Sequence, residues 1–301
     1  GRAHALLLAS RGASGVVDDV GGGASGEGRG STAADKVVEE IRAAGGTAVA
    51  SYDSVENGAA IVQTALDAFG RIDVVINNAG ILRDVTFAKM TAEDWHLVRR
   101  VHLDGAFAVT HAAWPHLRDA GYGRVLFTTS AAGLYGNFGQ ANYAAAKMGL
   151  VGFAQSLALE GKKRGVLVNV IAPLAASRLT ESVLPPERLG ALEPGYASPL
   201  VAWRCHEDCA ETGGIFEVGG GFFAKTRFAR SKGKVFRLGR PIAPERVAEA
   251  WPAITSFDGA TYPPDVTAAM DPLLANVTAG PSRGGNELID VDAALGIGAD
   301  R

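Results

Sequence analysis

The chain has 301 residues, of which 47% are hydrophobic and 20% charged, and its formal net charge is −3 at pH 7. These values describe a chain that can bury a large core and that is long enough for one α/β domain with an appendage. The slightly negative charge argues against a nucleic-acid partner. No apolar run approaches the roughly 18 residues that span a membrane, so we expect no membrane partner either.

Apolar strand-like runs alternate with amphipathic runs, which is typical of βαβ units around a parallel sheet. Strands are predicted near residues 16–20, 47–52, 72–76, 125–129, 166–171 and 215–218. Helices are predicted near residues 33–44, 56–69, 91–120, 141–160 and 198–207, the third of them opening on a capping sequence at Thr91. The predicted fold class is therefore α/β, with a doubly wound parallel sheet.

A glycine-rich stretch follows the first predicted strand. Gly21-Gly-Gly-Ala-Ser-Gly26 matches the G-x-G-x-x-G pattern of dinucleotide-binding loops. A phosphate-binding loop opens directly into a helix, whereas the next helical pattern here begins only around residues 31–35, and two acids precede the glycines. We interpret the stretch as a flexible surface loop.

Three polar residues are spaced for acid/base chemistry. Tyr143 and Lys147 stand four apart in a predicted helix and therefore share one face, and Ser130 ends the strand before it. A cation beside a phenol favours the phenolate, so Lys147 is predicted to lower the pKa of Tyr143, while the Ser130 hydroxyl holds a substrate oxygen. A surface tyrosine with a solvated lysine is the competing interpretation of this spacing, and it has less support when Ser130 is considered with it.

Together with Asn77-Asn78-Ala79-Gly80 after a predicted strand, this order of Ser, Tyr and Lys resembles the short-chain dehydrogenase/reductase family. The resemblance implies a Rossmann-like fold, a nicotinamide cofactor, and Ser130, Tyr143 and Lys147 as catalytic residues. Many members carry an asparagine in the crossover helix as a fourth catalytic residue; His102 stands there in this chain, and we assign it no proton transfer.

The family's phosphate loop precedes its first helix, and Gly1-Arg2-Ala3-His4 resembles the last glycine of that loop and the start of the helix. We therefore predict that the sequence lacks the first strand of the fold, or about twenty N-terminal residues. Asp19, 18 residues after Gly1, matches the position of the carboxylate that binds the adenosine ribose and repels the phosphate of NADP. NAD is thus the predicted cofactor.

The resemblance also implies further cofactor contacts. Ser54 and Val55 would lie near the adenine, and Asn78, Ala79 and Gly80 near the ribose, with Tyr143 and Lys147 at the nicotinamide end. Asn169-Val-Ile-Ala-Pro173 resembles the segment that holds the carboxamide, although Leu174 replaces the family's glycine. The contacts after it are predicted from Ala176 and Ser177.

Several stretches, above all Gly136-Asn-Phe-Gly-Gln-Ala-Asn-Tyr143, resemble the (3R)-hydroxyacyl-CoA dehydrogenase branch of the family, which includes units of peroxisomal multifunctional enzymes and bacterial relatives. This resemblance implies oxidation of a 3-hydroxyacyl-CoA by NAD, a homodimer, and a location in the cytoplasm of a bacterium or in peroxisomes. Three alternatives stay open: a 3-oxoacyl carrier-protein reductase, a free hydroxysteroid dehydrogenase, and a binding scaffold without turnover.

The predicted domains are a catalytic domain over residues 1–222, a C-terminal extension over 223–280, and a linker or tail over 281–301. Seven basic residues lie between Lys225 and Arg240 without an acid, and they either meet the phosphates of coenzyme A or form a solvated segment. The tail weakly resembles the opening of an enoyl-CoA hydratase domain, so a fused or partner hydratase is predicted. Cys205-His-Glu-Asp-Cys209 lacks a further ligand cluster, so no metal is expected.

Overall fold

A computed structural model of the chain describes residues 1–176 and 192–280. The chain divides into two compact units, the first spanning Gly1–Thr226 and the second beginning at Arg227. The sequence placed this boundary four residues earlier. That placement is corrected because residues 223–226 belong to a strand that pairs within the first unit.

The first unit contains two sheets. Strand β1 (Ser14–Asp18) pairs in parallel with β2 (Thr47–Ser51). The second sheet has the order β3-β4-β5-β6-β7 and is parallel except for the antiparallel last strand. Its strands are β3 (Val74–Asn77), β4 (Gly123–Thr128), β5 (Val166–Pro173), β6 (Ile215–Gly219) and β7 (Phe222–Thr226). The six predicted strands are confirmed; β7 was not predicted.

Helices cover both faces of these sheets, as the prediction of a doubly wound fold requires. Those described in the first unit are α1 (Arg2–Ser10), α2 (Thr32–Ala43), α3 (Gly58–Phe69), α4 (Ala92–Arg99), α5 (Gly105–Asp119), α6 (Ala131–Tyr135), α7 (Ala141–Lys162) and α8 (Ser198–Cys205). In the described residues β1 and β3 belong to different sheets and are not paired with each other. The predicted first strand would lie between them in the family's fold, and its absence from the sequence stays a prediction.

Strand β4 shows why this sheet holds the core. All six of its residues are buried, and their side chains alternate between two faces, as in any strand. Val125 and Phe127 pack into a cluster with residues of α5 and α7, whereas Leu126 packs with Val201 of α8. A strand that is buried on both faces has a nearly continuous run of apolar residues, and this run is what predicted β4 from the sequence.

The long crossover helix predicted over residues 91–120 is two α-helices joined by a π-helical segment, Arg100–Asp104. The predicted cap at Thr91 is confirmed, because Thr91 and Asp94 form a reciprocal capping box. Gly105, which follows the π segment, approaches Val55 so closely that a Cβ there would lie 2.5 Å from Val55 Cγ2. Hydrophobic periodicity alone does not separate π from α turns, so the sequence could not show this break.

The glycine-rich loop is ordered by specific contacts, which corrects the prediction of a flexible loop. Gly30 N donates to Val20 O at 2.9 Å and closes the loop on itself. Leu82 N donates to Ala24 O at 2.9 Å, and the Arg83 guanidinium donates to Ser25 O at 2.7 Å. The loop therefore packs on the segment after β3.

The second unit contains two helices in its described part, α9 (Pro244–Thr255) and α10 (Val266–Ala279). Neither contains a buried residue. Arg230 connects the unit internally, since its backbone bridges to Thr261 and its guanidinium donates to Ala269 O at 2.7 Å. Across residues 1–176 and 192–280, none of the helices has both the length and the apolar character needed to cross a membrane.

Candidate active site

Helix α7 carries two of the three predicted catalytic residues. It begins after Gln140, so Tyr143 and Lys147 project from its first two turns. The Lys147 ammonium donates to the Thr128 carbonyl oxygen at 2.7 Å and lies 5.5 Å from the centre of the Tyr143 ring. Lys147 is 3% exposed. The two side chains therefore lie in one small volume, as the sequence predicted.

Ser130 reaches the same volume from the end of β4. It caps α6, with its Oγ accepting a hydrogen bond from Ala132 N at 3.2 Å. Its hydroxyl lies close enough to Tyr143 to lower the pKa of the phenol. The end of a parallel strand and the first turn of the next long helix meet at the carboxyl edge of the sheet, where active sites of such folds lie.

The pKa values at this site differ from the expectation. Burial raises the pKa of Tyr143, the Ser130 hydroxyl opposes this effect, and the Asp84 carboxylate adds to it. Burial also lowers the pKa of Lys147 to about 7. A lysine with that pKa is only partly charged at neutral pH, so in the chain by itself desolvation outweighs the predicted lowering of the tyrosine pKa by Lys147.

His102 lies beside the phenol, in the π segment. Its ring meets that of Tyr143 edge to face at 5.1 Å, and its Nε2 lies 3.0 Å from Ile81 N. Burial, followed by the charge of Lys147, holds the pKa of His102 well below its usual range, so the ring is neutral. Its Nδ1 is buried without a hydrogen-bond partner among the described residues. Gly80 makes room for this ring, because a Cβ there would lie 2.3 Å from His102 Cε1.

The predicted cofactor residues come together at the same edge of the sheets. Gly1 lies at the start of α1, and a Cβ on it would lie 3.2 Å from Asn78 Nδ2. The Asp19 carboxylate lies near enough to Gly1 to act on it electrostatically. A helix start packed this closely against a strand end, with a carboxylate alongside, fits the pyrophosphate and ribose of a dinucleotide.

Asp18 and Asp19 have separate environments. Ser51 donates to Asp18 Oδ1 at 2.7 Å, which joins β1 to β2, and burial raises the pKa of Asp18 to about 6. Asp19 accepts a hydrogen bond from Gly21 N at 2.7 Å at the mouth of the loop. Asp18 thus has a structural partner in β2, and the role of Asp19 at the ribose stays a prediction.

The other predicted contacts are less distinctive. Ser54 caps a short 3₁₀ turn by accepting a hydrogen bond from Glu56 N at 3.2 Å, and Val55 packs against Gly105. Ala79 is exposed in the turn after β3. Ala176 N donates to Leu192 O at 2.6 Å, past the end of β5. Ser177 lies outside the described residues, as do residues 281–301 with the predicted tail.

Sequence reasoning missed a polar network in front of Tyr143. Gln140 Nε2 donates to Asp84 Oδ2 at 2.7 Å, and Asn137 Nδ2 donates to Gln140 Oε1 at 2.9 Å. Asn142 Nδ2 donates to Arg83 O at 3.1 Å. The stretch Gly136–Tyr143 supported the resemblance without any role for its polar residues, although short polar side chains between glycines were a usable signal of loop-to-loop hydrogen bonds.

The cysteine pentad is not a helix throughout, because α8 ends at Cys205. Both thiols are buried, and burial raises the pKa of Cys205 to about 12. No group of three or more His, Cys, Asp or Glu side chains in the described part of the chain is placed to hold a metal ion.

Lys225, Arg227 and Arg230, three of the seven basic residues, make the following contacts. Lys225 pairs with Glu211 in the first unit. In the second unit the Arg227 guanidinium lies 3.6 Å from the centre of the Tyr262 ring, and Arg230 binds Ala269 O. Lys232, Lys234 and Arg237 are exposed.

The fold and the Ser-Tyr-Lys site define a class of oxidoreductase, and a sequence model of the short chain dehydrogenase family matches residues 1–183. The chain belongs to that family, whose members bind a nicotinamide dinucleotide.

The chain is similar to peroxisomal multifunctional enzyme A of Dictyostelium discoideum, with 54% identity over 289 residues that cover 96% of this chain and 65% of the relative. It is 51% identical to a putative short-chain type dehydrogenase/reductase of Mycobacterium tuberculosis, over 86% of this chain and 91% of the relative. The solved structure of full-length peroxisomal multifunctional enzyme type 2 from Drosophila melanogaster matches with a TM-score of 0.79 and 40% identity, covering 93% of this chain and 47% of that one. The chain thus spans less than two thirds of both multifunctional enzymes.

Proposed function

We propose that the chain is an NAD-dependent dehydrogenase that interconverts 3-hydroxyacyl-CoA and 3-oxoacyl-CoA. The observation that carries the proposal is the Tyr143 phenol beside the buried Lys147, whose ammonium lies 5.5 Å from the ring centre, with the Ser130 hydroxyl at the end of β4. The similarity to multifunctional peroxisomal enzymes supports a thioester substrate of the β-oxidation type, with a fatty or steroid side chain.

The residues of the chain supply proton transfer and positioning. In the oxidation direction the phenolate of Tyr143 accepts the proton of the substrate hydroxyl as the C3–H electron pair leaves as hydride. Ser130 holds the same oxygen through a hydrogen bond, and Lys147 binds the nicotinamide ribose. When bound, an oxidised nicotinamide would supply the hydride acceptor. In reduction Tyr143 returns the proton to the oxygen.

A panel of 3-hydroxyacyl-CoA thioesters of different chain length and ring content, assayed with NAD and with NADP, tests the proposal. We expect turnover with NAD on at least one thioester and a kcat/KM for NADP that is lower by about tenfold or more, because Asp19 repels the 2′-phosphate. Turnover of the carrier-protein thioester or the free hydroxysteroid in place of the CoA thioester would contradict it.

The matched variant for cofactor choice is Asp19→Ser. It removes the charge, keeps a hydrogen-bonding side chain and should reduce the preference for NAD. An unchanged ratio of the two kcat/KM values would show that Asp19 does not select the cofactor. Asp18→Asn is the control, since Asp18 already has Ser51 as its partner.

We propose that the exposed basic residues of the second unit meet the phosphates of coenzyme A. Replacing Lys234 and Arg237 by glutamine is expected to raise KM for acyl-CoA about three- to tenfold. KM for NAD should be unchanged, because these residues would bind the phosphates of coenzyme A and not those of NAD. Arg118→Gln, in the last turn of α5, is the control for loss of a positive charge. An unchanged KM for acyl-CoA would favour a solvated segment.

We also propose a homodimer, and a hydratase as a fused or separate partner. Phe107 of α5 is 51% exposed and Leu159 of α7 is 64% exposed. Large apolar side chains on the outer sides of two neighbouring helices are typical of a surface covered by another chain. A peroxisomal location in a eukaryote, or a cytoplasmic one in a bacterium, is the matching proposal for localisation.

A further inference from the structure

Two loops meet in front of the Tyr143 phenol, one following β3 and the other preceding α7. Gln140 is 6% exposed, and its side chain is held on both sides, by Asn137 and by Asp84. A buried amide with both ends hydrogen-bonded is fixed in orientation, because any rotation would leave a buried polar atom unpaired. Gln140 also accepts a hydrogen bond from Ala144 N at 2.7 Å through its backbone carbonyl, at the start of α7.

Two further hydrogen bonds connect the same two loops. Val85 N donates to Gly139 O at 2.8 Å, and Asn142 Nδ2 donates to Arg83 O at 3.1 Å. Asn142 in turn accepts a hydrogen bond from Tyr143 N at 2.8 Å. Three consecutive residues after β3, Arg83 to Val85, are therefore hydrogen-bonded to Gly139, Gln140 and Asn142, which lead into Tyr143, and a shift of either loop would move the phenol.

The charges around the phenol come from four elements. Lys147 lies on α7 itself, His102 on the π segment and Asp84 on the loop after β3, while the Ser130 hydroxyl at the end of β4 is neutral. On α4 the Asp94 carboxylate is bound within its own capping box with Thr91. His102 is neutral and Lys147 only partly charged. Burial is the main cause of the raised pKa of Tyr143, and the Asp84 carboxylate adds to it.

We propose that Asp84 and Gln140 are positioning residues for Tyr143: their hydrogen bond ties the loop after β3 to the loop that leads into α7 and so fixes the start of the helix that carries the phenol. The Asp84 carboxylate is also a negative charge that disfavours the phenolate. This inference rests on the proposed function for its meaning in catalysis. Because Asp84 is exposed, its influence on Tyr143 is weakened by salt.

The variant Asp84→Asn separates charge from structure. An asparagine Oδ1 still accepts the hydrogen bond from Gln140, so the loop stays tied while the negative charge is lost. We expect the ionisation of Tyr143 to shift to lower pH, measured as the tyrosinate absorbance that disappears in a Tyr143→Phe background. The acid limb of the pH profile of kcat/KM for oxidation should move in the same direction, and both shifts should shrink in high salt.

Gln140→Ala removes the hydrogen bond and keeps the charge. We expect kcat to fall about tenfold with KM for NAD unchanged, because the phenol is less well placed but the cofactor residues are untouched. Asp119→Asn, in the last turn of α5 before the amino end of β4, is the matched control and should leave the titration of Tyr143 where it is. Near-UV circular dichroism confirms that each variant is folded.

An Asp84→Asn protein whose tyrosinate titration equals that of the unchanged chain would overturn the role of the charge, and a Gln140→Ala protein with unchanged kcat would overturn the role of the hydrogen bond. The absorbance titration needs no turnover. A chain that oxidises no 3-hydroxyacyl-CoA but shows the shift in Asp84→Asn would therefore refute the proposed function and leave this inference standing.

Discussion

Replacing Tyr143 by phenylalanine is expected to lower kcat by about two to four orders of magnitude, the range that a positioned acid/base contributes. Phenylalanine preserves the ring that packs on His102 and on Ile81 and Val98, so the fold and the cofactor residues should be unaffected. Turnover of the 3-hydroxyacyl-CoA that the unchanged chain oxidises best measures the loss, and nicotinamide fluorescence measures NADH binding.

Tyr122→Phe is the control for loss of one phenol, since Tyr122 OH donates to Cys205 O at the opposite edge of the sheet. Its kcat should be close to that of the unchanged chain. Tyr143→Phe with more than a tenth of normal turnover would refute the role of the phenol, and loss of NADH binding in this variant would attribute the defect to the cofactor site.

Lys147→Met is expected to lower kcat by about a hundredfold or more and at the same time to stabilise the fold at neutral and acid pH. Burial makes charged Lys147 costly, and this is why its pKa falls to about 7. Methionine fills similar space without a charge. The lost hydrogen bond to Thr128 O offsets about 1 kcal/mol of the gain.

The gain depends on pH in a defined direction. Below pH 7 the lysine is charged in both the folded and the unfolded chain, so the folded chain bears the full cost, on the order of 5 kcal/mol. Between pH 7 and about 10.5 the unfolded chain binds more protons than the folded one, so the unchanged protein becomes more stable and its difference from Lys147→Met shrinks.

Urea unfolding of both proteins at pH 6 and pH 9 measures this difference in the free energy of unfolding. Lys162→Met is the control, because Lys162 is exposed at the end of the same helix and should show no such change. Equal stability of Lys147→Met and the unchanged protein at pH 6 would contradict a buried, destabilising ammonium.

The candidate site divides into a part that the sequence predicted and a part that it could not. Tyr143 and Lys147 are four residues apart in one helix, and Ser130 ends the strand next to it, so local geometry alone brings them to one edge. The ionisation behaviour was not accessible in this way. It depends on how much water reaches each group, and burial raises the pKa of Tyr143 where a pairwise view of the two side chains predicted a fall.

The partners of Tyr143 illustrate the same limit. Asp84 lies 56 residues from Gln140 in the chain and joins it by a single hydrogen bond, and His102 reaches the phenol only because residue 80 has no side chain. No local pattern encodes contacts of this kind, because each needs two distant loops to be placed within a few ångströms by the sheet.

The sequence by itself determined the parallel α/β fold, its six parallel strands and the placement of Ser130, Tyr143 and Lys147 at one edge of the sheet, because apolar alternation, glycine positions and residue spacing are local properties of the chain. Tertiary structure alone decided the π segment, the ordered glycine-rich loop, the antiparallel last strand and the electrostatics of the site. These depend on which surfaces meet and which charges lose their water, and both are set only when the whole chain has packed.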